Sequence, residues 1–314
     1  MEKDYGHKPV LLDECLDALA IRPDGIYVDG TLGRAGHSLE ILRRLTTGRL
    51  IGIDRDLTAI EAAKERLAEF GDRVTLVHSN FSEVGSVLEQ LGVEGVDGML
   101  FDLGVSSPQL DEAHRGFSYM QDAPLDMRMD STAALDAHEV VNTWSGDELK
   151  RILRDYGEER YAAQIARAIV RAREQKEIET TLELVDIIRS AMPAAALREK
   201  QHPAKRSFQA IRIAVNGELD ALPPMLQSAT KMLRPGGRLA VITFHSLEDR
   251  IIKQTMRELA TGCTCPSSFP VCVCGNKPKL ELVSRKPIVS GEVELNENPR
   301  ARSAKLRVAQ RTEY

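Results

Sequence analysis

Four short apolar segments near the N-terminus constrain the fold more than any other feature of this chain. They lie at Ile26–Asp29, Arg49–Asp54, Arg73–His78 and Val96–Asp102. Each is rich in Val, Ile and Leu and almost continuously apolar, as in parallel strands that are buried on both faces. An amphipathic helix over Leu57–Phe70 separates the second from the third. This alternation predicts an α/β fold with an open parallel sheet and helices on both sides.

The polar stretch after the first strand, Asp29–Ser38, indicates a nucleoside site. It holds three evenly spaced glycines, Gly30, Gly33 and Gly36. Glycines let backbone approach a ligand closely, and Asp54, which ends the second strand, can accept hydrogen bonds from ribose hydroxyls. The spacing matches neither the Gly-x-Gly-x-x-Gly of dinucleotide enzymes nor a Walker loop. Two alternatives stay open: a tight turn without a ligand, and a helix-capping role for Asp54.

Composition is that of a soluble globular protein. The chain has 314 residues, of which 42% are hydrophobic and 28% charged. No apolar run approaches the ~20 residues of a membrane helix, and the polar N-terminus lacks a signal-peptide core. We therefore expect a cytoplasmic protein. The net charge of −5 argues against coating nucleic acid through bulk charge, although a local basic face remains open.

The pattern changes after Leu103, where helical periodicity replaces strands. Capping boxes at Ser145–Glu148 and Thr180–Glu183 mark two helix starts. Further helices are predicted over 208–222 and 225–233, and later strands over 238–244, 280–284 and 304–308. The sequence thus predicts an α/β domain formed by residues 1–109 and 206–314, with a helical insertion at 110–205.

A second polar cluster follows the fourth strand, where open α/β sheets place their ligands. Asp102 is followed by two hydroxyls, Ser106 and Ser107, and by the amide of Gln109. Such groups can orient an exocyclic amine and accept its hydrogen bonds. The alternative is a helix-capping turn, which this segment also suits. His245, at a later strand end, is either a base, a ligand contact or a packing residue.

Four of the five cysteines form a cluster, Cys263, Cys265, Cys272 and Cys274. In a cytosolic chain such a cluster suggests metal or redox chemistry more than structural disulfides. The spacing is Cys-x-Cys twice, and not the commoner Cys-x-x-Cys of zinc ribbons. We therefore predict no metal and keep the cluster as a zinc candidate.

Basic residues are concentrated at 200–206 and 298–307. Such runs are usually solvated surface. In a net-acidic chain they also hint at contacts with a phosphate backbone, for which Arg128, Arg206 and Arg212 are the candidates.

Several long motifs, in order along nearly the whole chain, resemble the MraW family of ribosomal RNA small-subunit methyltransferases. These are His7–Leu12, Asp29–Gly33, Gly36–Ser38, Asp102–Gln109, Arg115–Ser118, Asp126–Asp130, Arg206–Arg212, Phe244–Arg250 and 298–300 with the residues after it. The resemblance implies a class I, Rossmann-like methyltransferase sheet whose helical insertion recognises RNA. It further implies S-adenosylmethionine as methyl donor and N4-methylation of a cytidine in the decoding region of 16S ribosomal RNA.

By the same resemblance, seven residues fall on donor-binding positions: Ala35, Gly36, His37, Asp54, Phe81, Asp102 and Gln109. For catalysis, Asp102, Ser106 and Ser107 are the candidates to accept hydrogen bonds from the target amine and then remove a proton. One alternative is an NAD-dependent oxidoreductase. Another is a non-catalytic RNA-binding or ribosome-assembly factor with a vestigial nucleoside pocket. The oligomeric state is open, with a homodimer as one option.

Overall fold

The structure, a computed structural model, describes residues 9–266, 269 and 271–314. His7 and Lys8, which open the first family motif, lie outside the described residues. The chain divides into two compact units, one formed by residues up to Gly104 together with Leu219–Tyr314, the other by Val105–Glu218. The second unit extends beyond both ends of the insertion expected at 110–205.

The first unit is built on a seven-stranded sheet. Its strands are β1 (Ile26–Asp29), β2 (Arg49–Asp54), β3 (Val74–His78), β4 (Val96–Asp102), β5 (Leu233–Thr243), β6 (Leu280–Leu282) and β7 (Lys305–Arg311). The strand order is β3-β2-β1-β4-β5-β7-β6, with β7 antiparallel to both neighbours. The remaining pairings are parallel, and the order reverses between β1 and β4. The predicted α/β class with a Rossmann-like sheet is confirmed.

Helices cover this sheet. They are α1 (Leu12–Leu19), α2 (Gly36–Arg44), α3 (Leu57–Arg66), α4 (Val84–Gln90), α12 (Leu222–Met232), α13 (Ser246–Leu259) and α14 (Glu292–Glu297). The predicted helix over 57–70 instead ends at Arg66 and is followed by a 3₁₀ segment, Ala68–Arg73, which is kinked at Gly71 because that residue leaves helical backbone geometry. Buried apolar residues of α1, α2 and α3 pack on one face of the sheet beside Leu50 and Leu100.

The second unit is helical. It contains α5 (Ser107–Asp111), α6 (Ala137–Thr143), α7 (Gly146–Asp155), α8 (Ala162–Arg173), α9 (Thr181–Ser190), α10 (Ala194–Leu197) and α11 (Lys205–Asn216). Both predicted capping boxes are present, at the starts of α7 and α9. The single helix predicted over 208–222 is wrong, because Gly217 adopts φ +59° and ends α11 at Asn216. Apolar residues of α6–α9 and α11 form a separate core, which includes Ile152 and Ile165.

Among the described residues, no helix is both long and apolar enough to cross a membrane.

Gly30 sets the spacing between β1 and β4 and gives a direct test of this packing. A Cβ at Gly30 would lie 2.2 Å from Cε1 of Phe101, a fully buried ring on β4. We expect Gly30→Ala to destabilise the protein by about 1–3 kcal/mol, measured by chemical denaturation, because the ring has no free space to move into. Phe101→Leu in the same chain should recover part of the loss.

Gly146→Ala is the matched control. Gly146 starts α7, has an ordinary φ, and its Cβ would contact Val170 at 3.5 Å. This variant should be unchanged or slightly more stable. Equal stability of the two alanine variants would contradict the close packing described for Gly30.

Candidate functional site

Carboxylates gather at the carboxyl edge of the parallel strands. Asp29, Asp54 and Asp102 are the last residues of β1, β2 and β4, and Glu248 lies in the first turn of α13, after β5. Because the strand order reverses between β1 and β4, Asp29 and Asp102 lie at the switch point, where open α/β sheets bind their ligands. The sheet alone therefore brings these acids together.

Asp29 anchors the polar stretch Asp29–Ser38, which we call the glycine loop, through two hydrogen bonds. Its buried carboxylate accepts hydrogen bonds from Ser38 Oγ at 2.7 Å and from Thr31 N at 3.2 Å. Burial raises the pKa of Asp29 to about 6, although the bonds from Ser38 and Thr31 oppose the shift. Thr31 in turn accepts a hydrogen bond at Oγ1 from Asp102 N. The loop is thus fixed to the ends of both β1 and β4.

Asp54 fixes the same loop from β2. Its Oδ2 accepts from Gly33 N and its Oδ1 from Asp56 N, both at 2.8 Å. Burial raises the pKa of Asp54. The residue that caps α3 is Asp56, whose carboxylate accepts from Thr58 N at 3.0 Å. The capping alternative for Asp54 is therefore wrong.

Close approach and left-handed backbone shape the loop. Gly33 has φ +50° and Ala35, fully buried, has φ +59°, an uncommon conformation for a residue with a Cβ. A Cβ at Gly36 would lie 2.6 Å from Pro9 Cγ. The backbone of 33–36 consequently turns sharply and leads directly into α2.

His37 is buried in the first turn of α2. One ring nitrogen, Nε2, lies 3.1 Å from the carbonyl oxygen of Val10, so it carries the proton and donates. Nδ1 then has a free lone pair and lies 3.8 Å from Oδ2 of Asp102. Burial lowers the pKa of His37 to about 4, which leaves the ring neutral at pH 7.

Asp102 is the most perturbed acid of the site. Burial, with the charges of Asp29 and Glu248 adding to it, raises the pKa of Asp102 to about 8. About 26% of its side chain is exposed, yet Oδ1 is buried and has no hydrogen-bond partner among the described residues. A buried polar atom without a partner costs free energy in the protein alone. Asp102 is therefore placed to hydrogen-bond a group that is not part of the chain.

Aromatic rings lie beside these acids. Phe81 starts the 3₁₀ turn after β3, and its half-buried ring meets Phe101 edge-on at 6.3 Å between centroids. An apolar ring at this strand end can pack against a flat heterocycle.

The remaining candidates from the second polar cluster belong to the helical unit. Ser106 caps α5, with its Oγ accepting from Gln109 N at 3.5 Å, while Gln109 Oε1 accepts from Ser106 N at 3.0 Å. The helix-capping alternative thus describes these two side chains, and their proposed roles stay predictions. Ser107 is the first residue of α5; its side chain lies outside the described part of the structure. His245 caps α13, and its Nε2 lies 3.1 Å from Oε1 of Glu248. The three alternatives for His245 stay open.

The three candidate RNA-binding arginines differ in their surroundings. Arg128 pairs with Asp126 at 2.7 Å, and Arg212 forms two 2.9 Å bonds to Glu218. Arg206 donates to the carbonyl oxygen of Glu158 at 3.1 Å and has no acidic partner within the described residues.

Several residues of the acidic site are not predicted as site residues from the sequence. From the pattern alone, Asp29 is only the end of a strand, and Thr31 and Glu248 have no role. The signal for Asp29 was present, since it ends an apolar strand as Asp54 does. Glu248 could have been found from its position three residues after His245, a capping-box spacing.

Comparison with known proteins shows which family this sequence matches. The profile of the MraW methylase family matches residues 4–312. A protein of Symbiobacterium thermophilum named ribosomal RNA small subunit methyltransferase H is 59% identical over 304 residues, which cover 96% of each chain. Proteins of the same name from Heliobacterium modesticaldum and Brevibacillus brevis are 57% and 56% identical and cover 98% of this chain.

The raised pKa of Asp102 predicts how stability depends on pH. Between pH 3.8, the ordinary pKa of an aspartate, and about pH 8, Asp102 is ionised in the unfolded chain but protonated in the folded protein. The free energy of unfolding therefore falls as pH rises through this range. Asp102→Asn removes the titration and should stabilise the protein by roughly 2–5 kcal/mol at pH 8, and much less at pH 4.5. The melting temperatures of the two proteins across this pH range measure the difference.

Asp24→Asn is the control, because Asp24 is exposed. Its melting temperature should stay close to that of the original protein. A constant difference between Asp102→Asn and the original protein from pH 4.5 to 8 would show that Asp102 is not desolvated.

Proposed function

Because this chain belongs to the MraW methylase family, we propose that it methylates the exocyclic N4 of a cytidine in the decoding region of 16S ribosomal RNA. It is a methyltransferase that takes its methyl group from S-adenosylmethionine. Ribosomal RNA as the substrate is supported by the names of relatives that are 56–59% identical along almost the whole chain. The base, the atom and the small-subunit context are supported by the motif resemblance.

The residues at the sheet edge fit the methyl donor. Glycine is required at Gly30 and Gly36 for packing against Phe101 and Pro9, which brings the loop backbone close to the strand ends. The acidic ends of β1, β2 and β4 suit the positive sulfonium of the donor. Asp102 offers a buried carboxylate oxygen without a partner. When bound, the donor supplies a methyl group on a good leaving group.

We assign the donor contacts by position. The backbone of Ala35, Gly36 and His37 would border the nucleoside, and Phe81 would pack on its adenine. Asp54 would accept from the ribose hydroxyls: each of its oxygens already accepts one backbone N–H, and a carboxylate oxygen can accept a second hydrogen bond. Gln109 stays a predicted donor contact.

Asp102 carries the catalytic proposal. The lone pair of the cytosine amine is delocalised into its ring, so the amine is a poor nucleophile. A hydrogen bond from the amine to the partly exposed carboxylate of Asp102 would localise that lone pair. As the new N–C bond forms and the donor's S–C bond breaks, the amine becomes cationic, and Asp102 takes its proton. In the protein alone Asp102 stays protonated up to about pH 8. The ionised carboxylate, which is the form that takes the proton, would be favoured by the positive sulfonium of the bound donor. His37 is kept neutral beside Asp102, and its Nδ1 can accept a hydrogen bond only from the protonated form of Asp102.

The target base must leave its stack to reach Asp102. Ser106 and Ser107 stay secondary predictions for contacts with its amine. For the RNA backbone, Arg206 is the strongest of the three arginines, since Arg128 and Arg212 are already neutralised by carboxylates.

The decisive test is product analysis. We expect the protein, incubated with small ribosomal subunits and methyl-labelled S-adenosylmethionine, to yield N4-methylcytidine after nucleoside digestion. Label in a different nucleoside would overturn the base assignment. RNA binding without label would favour the assembly-factor alternative, and calorimetric binding of NAD instead of the donor would favour the oxidoreductase.

Two variants separate donor binding from methyl transfer. Asp54→Asn should weaken donor binding at least tenfold, since a charged acceptor to two hydroxyls is worth about 1.5–3 kcal/mol. Asp102→Asn should lower kcat by about 10²–10⁴-fold, the usual contribution of a general base. Calorimetry and single-turnover transfer measure the two effects. Normal transfer by Asp102→Asn would remove its catalytic role, and normal donor affinity in Asp54→Asn would remove the ribose assignment. Glu281→Gln on β6, away from these strand ends, should change neither.

A further inference from the structure

The four clustered cysteines take no part in the methyl-transfer site, yet they are drawn together in space. They lie in the loop between α13 and β6, which we call the cysteine loop (residues 260–279). One sulfur atom from each of Cys263, Cys265, Cys272 and Cys274 lies within 4.8 Å of the other three. We propose that these four thiolates bind a single structural zinc ion.

The sulfur distances match a tetrahedral zinc site. With Zn–S bonds of about 2.3 Å, tetrahedral geometry places neighbouring sulfur atoms about 3.8 Å apart. Cys263 Sγ and Cys274 Sγ are 3.8 Å apart, and Cys272 Sγ and Cys274 Sγ are 3.5 Å apart. A disulfide would need about 2.05 Å, and all four cysteines are free. The cluster therefore has room for an ion at its centre.

Backbone groups also point at the sulfurs. Thr264 N donates to Cys274 Sγ and Val273 N donates to Cys265 Sγ, both at 3.4 Å. Each of these amides belongs to the residue between the two cysteines of one Cys-x-Cys pair and reaches a sulfur of the other pair. Such bonds favour the thiolate, which is the form that binds metal.

Hydrophobic burial does not explain why the cysteine loop closes on itself. Its described large apolar side chains are at least half exposed: Phe269 at 50%, Val271 at 70% and Val273 at 74%. The ends of the loop are joined by a 2.8 Å bond from Lys279 N to Leu259 O, and Asn276 Nδ2 donates to Gly262 O. A metal centre is the usual way to order a segment that lacks a core.

The ligand set selects the ion and its role. Four sulfur donors without a carboxylate favour zinc over the harder cations. Because all four coordination positions would be filled by the protein, no position remains for a substrate or water, which is typical of structural sites. The proposal is independent of the RNA and the nucleotide that the protein modifies.

The test is metal content of the full chain, purified in reductant and without a polyhistidine tag. We expect inductively coupled plasma mass spectrometry to find about one zinc per chain. After chelation and reloading with cobalt, we expect the intense visible bands of tetrahedral cobalt and the ultraviolet charge-transfer band of thiolate ligands. Chelation should also speed proteolysis inside the cysteine loop by at least about tenfold, because metal binding is coupled to order.

Matched variants assign the metal to these residues. Cys265→Ser and Cys274→Ser should each lose the cobalt thiolate spectrum while keeping their far-ultraviolet circular dichroism. Cys15→Ser, which alters the buried cysteine of α1, should keep it. The proposal is overturned if the reduced chain takes up neither zinc nor cobalt, if metal persists in a Cys265→Ser/Cys274→Ser double variant, or if mass analysis finds the four cysteines as disulfides in the freshly purified protein.

Discussion

The hydrogen bond between Ser38 Oγ and the buried carboxylate of Asp29 is the interaction on which the site most depends. Asp29 ends β1, and Ser38 lies in the first turn of α2, so the bond sets where the loop leaves the strand and where the helix starts. Asp54 holds the middle of the same loop through Gly33 N. Backbone positions 33–37 are therefore fixed by two acids on neighbouring strands and not by loop chemistry alone. Such a loop is ordered before any ligand arrives, which reduces the entropy lost on binding.

These three carboxylates differ in how many hydrogen bonds the protein donates to them. Asp29 and Asp54 each accept two hydrogen bonds at the distances given above, which limits the rise in their pKa values. Asp102 has a buried oxygen without such a bond and feels two neighbouring carboxylates, so its pKa rises furthest. A group that destabilises the folded protein in this way is typical of functional sites, where stability is given up for reactivity. The contrast among three chemically identical side chains therefore distinguishes the two that hold the loop from Asp102, the one that we propose takes the proton.

Much of this architecture could be predicted from the sequence because its signals are local. Continuous apolar runs located the first four strands, and capping boxes located α7 and α9. Helix ends that depend on a single glycine were missed, as at Gly217, because a glycine is compatible with both a helix and its termination. The role of Asp54 was ambiguous for a different reason. Asp54 and Asp56 both suit a helix start, and only three-dimensional positions show that Asp56 caps α3 while Asp54 faces the loop.

The properties that matter most for chemistry depend on residues far apart in sequence. His37 is neutral because burial lowers its pKa, although the hydrogen bond to Val10 O opposes that shift. The pKa of Asp102 is raised by burial and further by the charges of Asp29 and Glu248. No local pattern encodes these contacts, because they join residues of β1, β4 and α13 with the backbone just before α1. A family motif can name Asp102, but it cannot explain why that carboxylate and not Asp29 should accept a proton. The explanation is the strand order, which places Asp102 beside two other acids at the reversal point and leaves one of its oxygens without a partner.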